Sequence, residues 1–341
     1  MDLTTPPRPF DLLGDFPELS AYARPAVRLH PRRGEPTVAQ SSIGGPLLWP
    51  ADEAWPLCYL DHDDTSIEPY DAALRLRHQE GKIEGMRGRT GYLDFTAQME
   101  HRRTLASSLV DAAGIAYGAD EPRPLIPVAQ MYSCDVPGLP FTDRFDLLQI
   151  LWCPRDHVNT RNLAPHCPAF QVRWSRADPT AALVTDPPEP DLCNGEYLPA
   201  PCILYPEVVT EYPDMRNLPE PLEHALRGWH RDEDEDEEEW STAYSFDTAL
   251  APGWKAMGHG MYWGIIDPFP VVCECGAEQL PLFTADSSEF DGGTGSWRPV
   301  EEAGSGGLLQ NPVGVTIGRA YTLQLYFCPE SETHPCRSVM S

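Results

Sequence analysis

A seven-residue motif occurs twice in this chain, and no other feature restricts its fold as strongly. Leu148-Gln149-Ile150-Leu151-Trp152-Cys153-Pro154 matches Leu323-Gln324-Leu325-Tyr326-Phe327-Cys328-Pro329: Leu-Gln, two apolar residues, an aromatic, then Cys-Pro. A histidine follows each copy, His157 and His334. A second match lies upstream in the same order. Trp49 and Trp55-Pro56 precede Cys58, and Trp263 and Phe269-Pro270 precede Cys273. The aromatics are six residues apart in both, and a glycine turn comes before each, Gly44-Gly45 and Gly258-His259-Gly260. Two matches in one order imply a duplicated unit. Each copy would supply strands with one apolar face, and the two copies would bury those faces together.

Composition sets the outer limits. With 341 residues, 41% of them hydrophobic, the chain can bury a core as one large domain or two ordinary ones. A net charge of −27 argues against nucleic-acid binding through phosphates, which needs a basic surface, and suits a protein that meets a basic partner. No segment approaches the roughly 20 apolar residues of a membrane span. The opening Met1-Asp2-Leu3-Thr4-Thr5-Pro6-Pro7 has neither a basic start nor an apolar run. The expectation is therefore a cytoplasmic protein with no membrane contact. In that setting the ten cysteines read as reduced thiols, some of them metal ligands, rather than as a disulfide framework. Lys82 and Lys255 are the only lysines, which points to the codon use of a GC-rich, bacterial genome.

The pattern divides the chain into an N-terminal extension (1–40), a first half (41–176), a Pro-rich and acidic connector with one helix (177–253), and a second half (254–341). Residues 42–58, with prolines flanking tryptophans, suit neither a helix nor a central strand and read as a loop whose rings pack on a sheet. Short helices are expected over 11–22, 71–81 and 219–229, and a longer one over 96–113 with Thr96 as N-cap. Strands are expected at 92–95, 128–134, 147–153, 170–174, 261–266, 280–285, 313–317 and 321–327. The acidic run Asp232–Glu239 reads as a solvated loop or a docking surface for a basic partner. The fold class is α+β: mostly antiparallel sheets in two related halves, with a few short helices.

Several of these segments resemble a known family. Ile43-Gly44-Gly45-Pro46 through Trp49-Pro50 and Trp55-Pro56, Tyr92-Leu93-Asp94-Phe95-Thr96-Ala97-Gln98, and 280–290 are similar to YwqG-like proteins, a bacterial domain of unknown function. Residues 147–153, 254–275 and 286–299 resemble a longer actinobacterial branch, so the likeness runs in patches from 43 to 339. It implies an internally duplicated α+β fold and no established activity. The occurrence of such proteins near polymorphic toxin systems implies an immunity or interaction role. Where relatives carry a Gln in the second-half strand, this chain has Leu282-Phe283-Thr284-Ala285.

The residues that carry chemistry are few. Cys273-Glu274-Cys275-Gly276 with Cys328 and either His334 or Cys336 could close a tetrahedral, structural zinc site. A fainter echo in the first half joins Cys58, Cys153 and His157 to His166 or Cys167. Cys153, Asp156 and His157 are close in sequence, but neighbours along a strand face opposite ways, which disfavours a catalytic thiol. The carboxylates of 286–291 read as polar hairpin residues, and the Gly-rich 292–296 lacks the strand-to-helix setting of a phosphate loop. Trp49, Trp55 and Trp263 could rim a binding groove or pack in the core. His259, Asp286, Glu289 and Arg298 are the polar groups that a site between the halves would use.

Three functions compete on this evidence. The first is a non-enzymatic, cytoplasmic protein-binding protein, such as the immunity or accessory member of a toxin system. The second is a small-ligand-binding protein or enzyme. The third is a zinc-stabilised structural protein.

Overall fold

The computed structural model describes residues 2–63, 67–77, 122–158, 162–230, 242–263, 265–304 and 310–341. The expected strand at 92–95, the helix at 96–113 and the acidic run 232–239 lie outside these residues. Twelve strands build two sheets: β1 (Arg24–Arg28), β2 (Arg32–Arg33), β3 (Ser42–Ile43), β4 (Ile126–Tyr132), β5 (Leu147–Trp152), β6 (Phe170–Ser175), β7 (Cys202–Ile203), β8 (Glu207–Glu211), β9 (Lys255–Met257), β10 (Leu280–Asp286), β11 (Thr322–Phe327) and β12 (Arg337–Met340). The first sheet runs β6-β5-β4-β3-β7-β2 and the second β12-β11-β10-β9-β1-β8, with every neighbour antiparallel. The fold is α+β, dominated by antiparallel sheet, with few and short helices.

The two orders are the same list shifted by six strands. β4 to β6 correspond to β10 to β12, and β3 corresponds to β9. β1 and β7 are exchanged: each leaves its own half and pairs inside the other's sheet. Residues 1–40 and 177–253, an extension and a connector by sequence, thus each supply one strand to each sheet.

The copies agree in detail. In β4 the register slips between Pro127 and Ala129, and in β10 between Pro281 and Phe283. A proline has no N–H for the ladder, so it is tolerated inside a sheet at such a bulge. Both Ile126-Pro127 and Leu280-Pro281 carry it at the same place.

Between the sheets lies one core. Alternation sends Leu148, Ile150 and Trp152 of β5 inward to meet Leu323, Leu325 and Phe327 of β11 in a single apolar cluster. Trp152 and Trp254 meet in this layer, ring centroids 6.5 Å apart. Every residue of β5 and β11 is buried, so their outer faces are covered too. The covers are the tryptophan loops. Leu47 and Trp49 pack on Leu151 outside the first sheet, and Val271 packs on Tyr326 outside the second.

Glutamines tie those covers down. On the first sheet Leu48 N–H donates to Gln130 Oε1 (2.6 Å) and Gln149 Nε2 donates to Leu48 O (3.2 Å). On the second, Gln324 does both tasks: its Oε1 accepts from Met261 N (2.7 Å), and its Nε2 donates to Thr284 Oγ1 (3.1 Å) and His259 O (3.4 Å). Thr284 pairs with Gln324 as Gln130 pairs with Gln149. Thr284 thus stands where the first half has Gln130, and Gln324 covers both tasks.

Some expected elements take another form. Residues 11–22 split into a helical turn (Leu12–Asp15) and a 3-10 helix (Pro17–Tyr22), because Pro17 cannot continue the hydrogen-bond ladder. Residues 261–263 and 265–266 form no strand; Trp263 turns the chain with φ +44°. The expected strand 313–317 reduces to a bridge between Ile317 and Tyr321, with Gly314 in the left-handed region. Residues 70–77 are helical, overlapping the expected 71–81. The helix Glu220–Arg227 forms as expected, with Glu220 and Glu223 in its first turn, His224 and Arg227 in its last, and Leu222 and Leu226 buried one turn apart.

Candidate metal centres

Each half carries a four-residue Cys/His cluster where β4 or β10 begins and β5 or β11 ends. In the first, Cys153 directly follows β5. Cys58 lies on the short strand Leu57–Cys58, paired with Arg123–Pro124 just ahead of β4. Two-residue strands, His62–Asp63 and Asp156–His157, pair so that His62 stands opposite His157. Directly opposite residues of an antiparallel pair share a face, and the two imidazoles lie 4.8 Å apart, centroid to centroid. Cys58 Sγ is 3.3 Å from His157 Nε2, and His62 Nε2 is 3.3 Å from Cys153 Sγ. The four candidate ligand atoms lie within 4.8 Å of one another.

The surroundings orient this centre. His157 Nδ1 is 3.0 Å from Cys167 O and 3.2 Å from Ala169 N. The tautomer that donates Nδ1–H to Cys167 O leaves the Nε2 lone pair facing Cys58, as metal-bound histidines are usually held. The hydrogen bond with Cys153 holds the Cys58 thiol well below its ordinary pKa, with help from His157 and His62. The same bond, with burial, holds Cys153 above.

In the second centre a tight turn aims two sulfurs at one point. Cys273 N donates to Ala277 O and Gly276 N to Cys273 O, both 2.9 Å, and Gly276 takes the left-handed φ of +92°. Cys275 Sγ lies 3.6 Å from Cys328 Sγ, and His334 Nδ1 lies 3.2 Å from Cys328 Sγ and 3.7 Å from Cys273 Sγ. The Cys275 backbone N–H draws the Cys273 thiol below its usual range.

Both clusters fit a tetrahedral thiolate–imidazole ion. Zinc bonds of 2.0–2.3 Å imply ligand-to-ligand edges of roughly 3.3–3.8 Å, and the distances above fall at or close to that band. Sulfur and imidazole donors disfavour magnesium and calcium, which take oxygen.

The structure chooses among the sequence candidates. Cys273, Cys275, Cys328 and His334 converge. Cys336 does not join them and packs at the core edge, where burial pushes its thiol up to about 12. In the first half neither His166 nor Cys167 joins the cluster: Cys167 offers its carbonyl to His157 and directs its own sulfur to Ala164 O. The fourth member of the cluster is His62, whose signal was the repeated spacing Cys58-x3-His62 and Cys153-x3-His157.

The remaining candidates are engaged within the fold. Trp49 is buried, 5.3 Å from the Trp55 ring and under the Arg173 guanidinium, and Trp55 Nε1 donates to Leu125 O. Trp263 stacks on Phe246 and donates to Thr322 Oγ1 on the other sheet, so the three tryptophans rim no shared groove. His259 Nε2 is 2.9 Å from Tyr22 O, and Arg298 lies over the Phe290 ring. Asp286 accepts from Gly253 N and Glu289 from Trp254 N. Burial pushes these two carboxyls up, to about 6 and about 7. Asp291 Oδ1 caps its own Gly-rich turn through Gly293 N and Thr294. Lys255 is fully buried against Glu211.

Fold and clusters together define a duplicated α+β protein with two potential thiolate–imidazole metal centres. No protein-family model matches the chain. No curated protein matches it either. No helix among the described residues is long and apolar enough to cross a membrane.

Proposed function

We propose that this is a structural or accessory protein of the cytoplasm, without catalytic activity, stapled by two zinc ions. The observation that carries this reading is the pair of four-ligand clusters at equivalent points of the two copies. Four protein ligands close a zinc ion and leave no position for water or substrate, so such a centre is structural. Each would join the start of one strand to the end of its neighbour, β4 with β5 and β10 with β11. The Cys58–His157 contact also resembles a nucleophile–base pair. However, Cys58 and His157 are buried and their neighbours form the same four-membered set, which favours an ion over a reaction. Purified protein should contain two zinc ions per chain by elemental analysis, and chelation should lower its melting temperature. Metal-free protein that melts at the same temperature would sink the reading.

A role in binding another protein is the companion proposal. Exposed apolar side chains lie close in sequence to the cluster residues: Tyr59, Leu60 and Val158 at the first, Phe269 and Val272 at the second. With the net charge of −27, this favours a basic protein partner, as an immunity protein of a toxin system would have and as the YwqG-like resemblance suggests. Binding to such a partner should weaken with salt and with Tyr59→Ser or Phe269→Ser. Affinity unmoved by either would remove these patches from the interface.

A further inference from the structure

The two centres have different donor sets and different access to solvent. The first has two sulfurs, both buried, and its Cys153 is wholly covered. The second has three, and one of them, Cys275, is exposed. Of the ten cysteines only Cys134 and Cys275 are exposed. Cys134 lies on a turn with its sulfur toward the Asp135 carboxylate. Cys275 instead has the Cys328 sulfur 3.6 Å behind it. A surface thiolate with a resolving thiol at hand is the arrangement that oxidants find first.

We infer that the second centre is an oxidation site that releases its metal, taking small oxidants of the hydroperoxide class, while the first centre keeps its ion. This rests on the proposal that both centres hold zinc. The Cys275 thiolate attacks a peroxide oxygen. The O–O bond breaks, hydroxide leaves, and Cys275 becomes a sulfenic acid. The Cys328 thiolate then attacks the Cys275 sulfur, the S–O bond breaks, and a second hydroxide leaves. In total two thiolates lose two electrons, one S–S bond forms, and hydrogen peroxide is reduced to two hydroxides, which neutral buffer protonates to water.

Position allows the second step. Cys275 sits on an exposed turn of four residues, where a small movement can bring sulfurs from 3.6 Å to the roughly 2.0 Å of a disulfide. The ion would be left with Cys273 and His334, two ligands where zinc needs four. The sulfurs of Cys58 and Cys153 also face each other, but burial keeps an oxidant from reaching them. Release would free the loop 329–336, which otherwise ties β11 to the edge strand β12. Two ties of that loop would stay: Gln279 Nε2, just ahead of β10, donates to Pro335 O at 2.7 Å, and Arg144 pairs with the Glu332 carboxylate at 2.8 Å.

The test uses the full chain as purified, with metal content measured first. Hydrogen peroxide is added while released zinc is followed with a chromophoric chelator, and disulfides are mapped by differential alkylation and mass spectrometry. The expected result is loss of one of the two zinc equivalents, a Cys275–Cys328 disulfide, and recovery of both zinc ions after dithiothreitol and added zinc. Cys134→Ser and Cys336→Ser should release the same single equivalent. Two bound ions that both stay, both leave, or leave with a Cys58–Cys153 bond would overturn this inference and spare the zinc reading. A second centre that holds no metal in the untreated protein would overturn both.

Discussion

Glu289 is a buried carboxyl that titrates near neutrality. It is buried beside Arg28, Arg32 and His30, and burial outweighs the two guanidinium groups in raising its carboxyl to about 7. Between the ordinary glutamate value and 7 the folded state holds more protons than the unfolded one, so this group's contribution to stability falls as pH rises through that window. Glu289→Gln should flatten the fall, by up to about 3 kcal/mol between pH 4.5 and 7. Urea unfolding of both proteins at the two pH values measures it, and protonation of the metal ligands cancels in the difference. An unchanged slope would mean that Glu289 titrates in the fold as it does in the unfolded chain. Gly44 makes a different residue-scale case. It lies at φ +62°, and an added Cβ would come 2.6 Å from Pro199 O, a backbone atom that cannot swing away. Gly44→Ala should destabilise by more than about 1 kcal/mol, and a melting temperature equal to the parent's would refute it.

At the scale of elements, the covers over the two sheets depend on buried amides. Gln324 satisfies the backbone of Met261 and His259, where the first half divides the task between Gln130 and Gln149. Gln324→Leu leaves the Met261 N–H buried without an acceptor and should cost about 1–3 kcal/mol. Gln149→Leu should cost less, because Gln130 still serves Leu48 N. Denaturant melts of the two variants rank them, and equal losses would mean that the halves do not distribute this role as described. The element most visible in sequence was the strand pair β4–β5 with its counterpart β10–β11, because strands buried on both faces read as short apolar runs between Pro and Gly. The helix Glu220–Arg227 was legible through Leu222 and Leu226 and its end charges. β2, β3 and β7 were not legible: two residues have no periodicity, and only their partners make them strands. The tryptophan loop was legible as a cover over its proline-flanked middle, but its ends are not loop: Ser42–Ile43 is β3, paired on both sides in the first sheet, and Leu57–Cys58 is a short strand.

For the whole molecule, the exchange of β1 and β7 means that neither half is complete alone. Each sheet holds a strand from the other copy, so the halves should unfold together. If the centres hold zinc, Cys153→Ser should lower the single melting transition of the whole chain rather than split it. The loss should amount to several kcal/mol, since zinc binding is coupled to folding free energy. Two resolved transitions in calorimetry would show instead that the halves are independent.

From the sequence alone came the α+β class, the twofold repetition and most of the residues of the two Cys/His clusters, because these are written in local signals: short apolar runs, the Leu-Gln…Cys-Pro motif, and cysteines near histidines. The tertiary structure decided what depends on distant segments meeting. It brought His62 beside His157 through a two-residue strand pair, took His334 and left Cys336 aside, and sent β1 and β7 into each other's sheet. It also placed Asp286, Glu289 and His259 in the buried support of the second sheet rather than around a shared site. The reason is physical. A ligand set or a strand exchange is a relation between side chains far apart in sequence, and no local pattern of residues encodes which of several nearby cysteines and histidines will point inward once the sheets have closed.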